Sequence, residues 1–269
     1  MALFLTGMLL GMLPYSRRAD FGFLRLLVDR PFLALAGFSL ALGAWVDKAL
    51  FWTHPDALAI TPLHRSYIPY DVSFFLGYAS ALPSLSWLLL QVETSFAGKA
   101  RRIYAALGNR EPYEAIHQAK LELAQDMNAN FRGVMLVQGP VSLLAIYFTP
   151  QILEWLGLPG HLIHIVQFLA MAAMGVALLQ AHSLYLLYFD MSREAAIMGI
   201  TFLVSNVVFT LITMQLGYRT YGLGYLGATY LAGLTGAWLI SRNLPRLEYF
   251  VLRYYARLTL LASLPRSPR

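Results

Sequence analysis

Cysteine is absent from all 269 residues, which excludes disulfides, thiolate metal sites and cysteine nucleophiles. Charge is scarce too. Asp, Glu, Lys and Arg make up 13% of the chain, about half the share usual in soluble domains. With 58% hydrophobic residues and a mean hydropathy of +0.56, too little polar surface remains to solvate a globule. Much of the chain must therefore take lipid as its solvent. The signatures of soluble enzymes are missing as well: there is no P-loop, no Gly-x-Ser-x-Gly elbow and no His-Glu-x-x-His. No catalytic residues and no cofactor are assigned.

What the sequence does contain is long apolar runs. A spanning helix needs about 20 mostly apolar residues. Six segments qualify: Pro31–Trp52, Val72–Val92, Gly133–Thr149, His161–Leu187, Ala195–Gln215 and Leu223–Ser241. Gly133–Thr149 is the shortest, and the run Gln151–Leu158 can extend it past Pro150. A seventh run, Ala2–Leu13, is short and ends at Pro14 before Arg17 and Arg18. The expected fold class is an all-α polytopic membrane bundle of about seven helices.

The charges between the spans set its direction. On one side of the membrane lie Arg17, Arg18, Arg25 and Arg30, the six Lys and Arg of loop 93–132, Arg193, and six Arg of the tail. That is 17 of the 20 basic residues, against Arg65 and Arg219 on the other side and Lys48 inside a span. Basic residues gather on the cytoplasmic side, so the C-terminus is expected in the cytoplasm. The net charge of +6 then serves orientation and anionic headgroups rather than nucleic acid. With this topology Met1 falls on the outer side, and Ala2–Leu13 enters without a basic anchor. A secretory signal fits poorly, because it needs positive charge before its apolar core. A remnant of a helix from a longer or split protein fits better. The expected organisation is residues 1–30 as that remnant plus a basic interfacial connector (Phe21–Val28), residues 31–242 as a six-helix bundle, and residues 243–269 as a tail. In the tail, Arg246, Tyr249, Phe250, Arg253, Tyr254, Tyr255 and Arg257 alternate basic and aromatic character, which suits a membrane surface.

Loop 93–132 is long for a connection between neighbouring spans. It divides into two helical pieces. The first continues the preceding span through Ala105–Leu107, and Gly108-Asn109-Arg110-Glu111-Pro112 ends it. The second begins near Tyr113 and carries Ile116, Ala119, Leu123, Met127 and Phe131 on one stripe. It is expected to lie on the membrane face of its own bundle, with a docking surface for a cytoplasmic partner as the alternative.

Within the spans, the charges Asp47 and Lys48 stand out, between Trp45 and Trp52. Neighbours on a helix point in different directions, so direct mutual neutralisation is not expected. Asp47 lies about 24 Å along the helix from Pro31, in its outer third. Two readings stand: interfacial snorkelling, or a polar wall of a translocation cavity. Gln91, Glu93, Gln138, Gln167, Gln180, His182 and Asn206 could line a cavity or bond helix to helix. Pro83 and Pro140 mark kinks of the kind found in transporters. The small-residue run from Gly222, Gly224 and Gly227 to Gly233 and Gly236 suits close helix packing. His161 and His164, spaced i, i+3, lack a convincing third ligand, so no metal site is assigned.

Three stretches resemble the Pel exopolysaccharide transporter family. They are Trp45-Val46-Asp47-Lys48-x-x-Phe51-Trp52; Tyr70-Asp71 leading through Ala81-Leu82-Pro83 to Val92-Glu93-Thr94-Ser95-Phe96; and Tyr221-Gly222-Leu223-Gly224-Tyr225 followed by Leu244-Pro245-Arg246-Leu247-Glu248-Tyr249. The resemblance implies a relation to multidrug and oligosaccharide flippases, with two six-helix bundles and about twelve helices. The six spans here would be the second bundle, and the stub before them the last helix of the first. The resemblance also implies export of a cationic, N-acetylgalactosamine-rich polymer across the bacterial inner membrane during biofilm matrix synthesis. The partners it implies are a cytoplasmic glycosyltransferase, a cyclic-di-GMP receptor and a further membrane subunit. The expected substrate pathway comprises Asp47, Lys48, Asp71, Glu93, Trp45 and Trp52, with carboxylates and aromatics suited to a positively charged sugar. The alternatives are a membrane scaffold for a polysaccharide synthase complex and a lipid-linked oligosaccharide flippase. The tail beyond Tyr249 runs further than the family pattern.

Overall fold

The computed structural model describes residues 27–61 and 64–252. The apolar run Ala2–Leu13, most of the connector and the tail beyond Leu252 lie outside the described residues. Among the described residues, nine α-helices lie between Pro31 and Asn243, with one small hairpin: α1 (Pro31–Gly43), α2 (Val46–Phe51), β1 (Leu58–Thr61), β2 (His64–Ser66), α3 (Ile68–Ala79), α4 (Leu82–Gln91), α5 (Ala97–Gly108), α6 (Tyr113–Trp155), α7 (Ile163–Tyr188), α8 (Ser192–Leu216) and α9 (Leu223–Asn243). Among the described residues, four helical stretches are long and apolar enough to cross a membrane, and α3 with α4–α5 makes a fifth if that bent pair is one span. The chain is an all-α polytopic membrane protein, with a two-stranded antiparallel hairpin at one end.

Two of the expected spans are broken. Pro31–Trp52 stops as α1 at Gly43 and restarts as α2 at Val46. The second bends by 42° after Ala79, and Pro83 sits in the first turn of α4, where its missing N–H costs nothing. A π-helical turn, Val92–Phe96, then joins α4 to α5. Pro140 and Pro150, by contrast, both sit inside an unbroken α6.

Helix α6 overturns the expectation of a separate helix laid on the membrane face. The amphipathic segment from Tyr113 and the span from Gly133 are one helix of 43 residues. At 1.5 Å per residue it is about 64 Å long, twice the hydrocarbon thickness. Its stripe of Ala119, Leu123 and Met127 is buried against Ala100, Ile103 and Leu107 of α5. The apolar face was satisfied by its own hairpin partner, so it had no need of a membrane surface. Lys99–Asp126 (2.6 Å) and Arg102–Glu122 (2.8 Å) cross between the two helices.

In the bundle, α7 packs against α3, α6 and α9, and is the most enclosed of the apolar helices. Helix α8 packs against α1, α2 and α9. Small residues permit these approaches. A Cβ on Gly224 of α9 would stand 2.7 Å from the Thr210 backbone nitrogen of α8, and one on Gly236 would stand 2.7 Å from the His182 Cβ of α7. The glycine-rich run thus packs helices, as lipid-embedded interfaces require. Gly222, at φ +93°, caps α9 in the left-handed region.

Contacts sort the loops into two ends. Arg30 pairs with Asp190, Tyr104 donates to the Tyr188 carbonyl, and Lys120 pairs with Glu248. These unite the start of α1, the α5–α6 hairpin, the α7–α8 turn and the segment after α9 at one basic end. At the other, the hairpin end, Arg65 donates to the Ala57 carbonyl, His54 meets Tyr221, and His161 meets Tyr218. For the described residues, the charge asymmetry in the sequence is thus a segregation in space.

A buried ion pair in an aromatic collar

The break between α1 and α2 builds the site. Gly43 lies against the Phe202 ring of α8, where a Cβ would stand 2.6 Å from it. The Gly43 carbonyl accepts from the Asn206 side chain of α8 at 2.8 Å, a bond that compensates the helix break. Thr210 donates to the same Asn206 at 3.0 Å. Helix α2 then starts afresh with Asp47 in its first turn.

As a result Asp47 and Lys48 both turn inward. This corrects one expectation and removes one of the two readings of these charges. Lys48 Nζ stands 3.2 Å from Asp47 Oδ1, so the neighbours do pair. Neither snorkels: Asp47 is 0% and Lys48 7% exposed. The i, i+1 rule describes the interior of a regular helix. Here the pair opens a six-residue helix, and the long lysine stem folds back onto the carboxylate.

Helix α3 supplies the rest of the shell. Tyr70 donates its hydroxyl to Asp47 Oδ2 at 2.7 Å. Phe74, one turn on, presents its ring 3.3 Å from Lys48 Nζ, a cation–π contact. Tyr225 of α9 closes the far side, 5.5 Å from the same nitrogen and edge-on to Phe74. Each charge therefore has partners, as burial in low dielectric requires.

A collar of rings sits on the hairpin side of this pair. Phe51 stacks on Tyr70 at 3.9 Å and meets Tyr221 at 4.7 Å. His54 packs on Tyr67 at 4.7 Å, and its Nε2 lies 3.2 Å from the Tyr221 hydroxyl. Burial pushes the Tyr67 phenol up to about 12. Phe51 and Tyr70 are each 1% exposed, so the centre is packed shut.

Of the sequence-predicted pathway residues, Asp47, Lys48, Asp71 and Trp52 come together. Asp71 accepts from Trp52 Nε1 at 3.2 Å and from the Ser66 hydroxyl, fastening α2 and the hairpin to the start of α3. Trp45 flanks Lys48 at 5.5 Å but is largely exposed on the bundle's outside. Glu93 does not join: it is exposed in the π-helical turn beyond α4. Tyr70, Phe74, Tyr221 and Tyr225 were not among the predicted residues. Their signal was present, as aromatics four apart on α3 and again four apart at the start of α9.

Several polar residues that could have lined a cavity are bonds between helices. Gln138 of α6 accepts from Ser84 of α4 and donates to the Ser80 carbonyl at 3.0 Å. Gln167 of α7 donates to the Ile146 carbonyl of α6 at 3.2 Å. No group of three or more metal-ligating side chains is found among the described residues.

Fold and site together define a multi-pass membrane protein whose interior holds a charged, occluded centre. Residues 1–252 match the family model described as "PelG: Putative exopolysaccharide Exporter (EPS-E)". The chain belongs to this family. No curated protein and no solved structure matches it.

Proposed function

We propose that this chain is an exopolysaccharide-export component of the bacterial inner membrane, with its basic end in the cytoplasm. In this proposal it moves a Pel-like polymer outward during biofilm matrix synthesis. The Asp47–Lys48 pair and its aromatic collar form the gate at the outer side. The match over residues 1–252 carries the export role. The buried pair supports the gate, because charges inside a membrane are costly even when paired and commonly mark a pathway or a switch.

The chemistry of the gate follows from its parts. Lys48 Nζ occupies the place that a cationic sugar's ammonium would take on Asp47. An arriving ammonium can exchange with it, and Lys48 then shifts along the Phe74 face. Rings such as Phe51 and Tyr221 offer flat surfaces to sugar faces as the collar parts. Asp71 holds the α2–α3 corner rather than contacting polymer, and Trp45 and Glu93 stay outside the gate.

The experiment removes both charges together, Asp47→Asn with Lys48→Met, so that neither is left unpaired. Membrane abundance should match wild type while polymer secretion falls sharply. Wild-type secretion from a normally inserted variant would overturn the gate.

The α5–α6 hairpin favours a second, compatible role. It extends the bundle at its basic end and leaves Tyr113 and Leu121 exposed. We propose it as the contact for a cytoplasmic glycosyltransferase, alongside a cyclic-di-GMP receptor and a further membrane subunit. Site-specific crosslinking from Tyr113 should capture the glycosyltransferase. Its absence from the crosslinked products would remove the scaffold role.

A further inference from the structure

A cavity of mixed polarity lies at the basic end, lined by none of the residues of the gate. It encloses about 700 Å³ between the start of α8, the end of α9 and the segment that follows. This is within the usual range for small-molecule sites. Arg193, Arg242 and Arg246 line it. None of the three has an ion pair among the described residues. Two carboxylates also line it, Asp190 and Glu194. Asp190 is already engaged by Arg30 at 3.2 Å and by the Ser192 hydroxyl at 3.3 Å. That leaves three guanidiniums against Glu194, an excess of positive charge in a concave site.

Apolar side chains also line it. Phe32, Ile197 and Trp238 are among them, and all three side chains are also exposed on the bundle's outer surface. Arg242 lies 5.3 Å from the Trp238 ring, which holds its guanidinium where the basic and apolar linings meet. A soluble anion would use only the basic lining. A molecule with a phosphate at one end and acyl chains at the other uses both.

We propose that this cavity is a specific site for an anionic phospholipid. Its phosphate is held by the forked donors of Arg242 and Arg246, and its chains lie along Phe32 and Ile197. The site couples the end of α9 to the start of α8 through a bound lipid. The proposal does not depend on the export gate.

The test is native mass spectrometry of the full chain, released from neutral detergent and titrated with phosphatidylglycerol, phosphatidylcholine or inorganic phosphate. The wild type should retain phosphatidylglycerol in preference to phosphatidylcholine, and inorganic phosphate should compete weakly. The double variant Arg242→Gln, Arg246→Gln should bind phosphatidylglycerol at least about tenfold more weakly. Equal retention by the double variant, or equal affinity for phosphatidylcholine, overturns the site. Inorganic phosphate binding as tightly as the lipid overturns the lipid as occupant. Should the double variant fail to fold, Glu194→Gln carries the test alone. It removes the opposing charge and should tighten phosphatidylglycerol several-fold, and unchanged affinity would count against the proposal.

Discussion

Charged pairs hold both ends of this molecule, in opposite surroundings. At the hairpin end the Lys48–Asp47 side chains are 9% and 0% exposed. At the basic end Arg102 and Glu122 pair at a shorter distance, 2.8 Å, with side chains 59% and 33% exposed. Distance alone would favour the second. Solvent reverses the order of consequence: water and salt screen the exposed pair, whereas the buried pair must answer for two desolvated charges. The first is therefore a site where loss of one partner is severe, and the second a fastening that the fold can lose.

Breaking the buried pair asymmetrically should have the largest effect. Asp47→Ala leaves an ammonium without its carboxylate and should cost about 3–5 kcal/mol of stability. Thermal unfolding in a neutral detergent would measure it, and adding Lys48→Met should restore most of the loss. If the double change restores nothing, the comparison fails.

Close helix approach comes next. Gly236→Val forces a branched side chain against His182 and Met198 and should cost about 1–3 kcal/mol by overpacking. The same unfolding assay applies, and Gly98→Ala, where a Cβ meets nothing within 4 Å, is the control.

Tyr70→Phe removes only the donor to Asp47 Oδ2. It should cost about 1–2 kcal/mol while the Phe51 stack persists. A loss as large as that of Asp47→Ala would mean that the ring, and not the ion pair, organises the centre.

Smallest of all, Arg102→Gln should change stability by no more than about 1 kcal/mol, and less still as salt is raised. A salt-independent loss of several kcal/mol would show that the α5–α6 hairpin is less exposed than its surface suggests.

Legibility differed between the two ends in the same way. At the basic end local signals marked the elements and the buried face. Gly108 to Pro112 broke the chain where α5 ends and α6 begins, and the stripe Ala119, Leu123, Met127 marked the face that α6 buries. What covers that stripe is not legible there, because an amphipathic face cannot say whether a membrane or a neighbouring helix packs on it. At the hairpin end Asp47, Lys48, Asp71 and Trp52 were legible as unusual residues in an apolar context. Their pairing was not. The break that turns Asp47 and Lys48 inward depends on Phe202 and Asn206, more than 150 positions away in α8.

By itself, the sequence determined the solvent, the helical class and the two-ended charge distribution. Apolar content and Lys and Arg placement are sums over residues and need no partner to have meaning. Only the tertiary structure decided which charges neutralise each other and that the centre is closed. Those outcomes rest on contacts between helices remote in sequence, where a missing Cβ, a donated amide and a stacked ring act at one point in space.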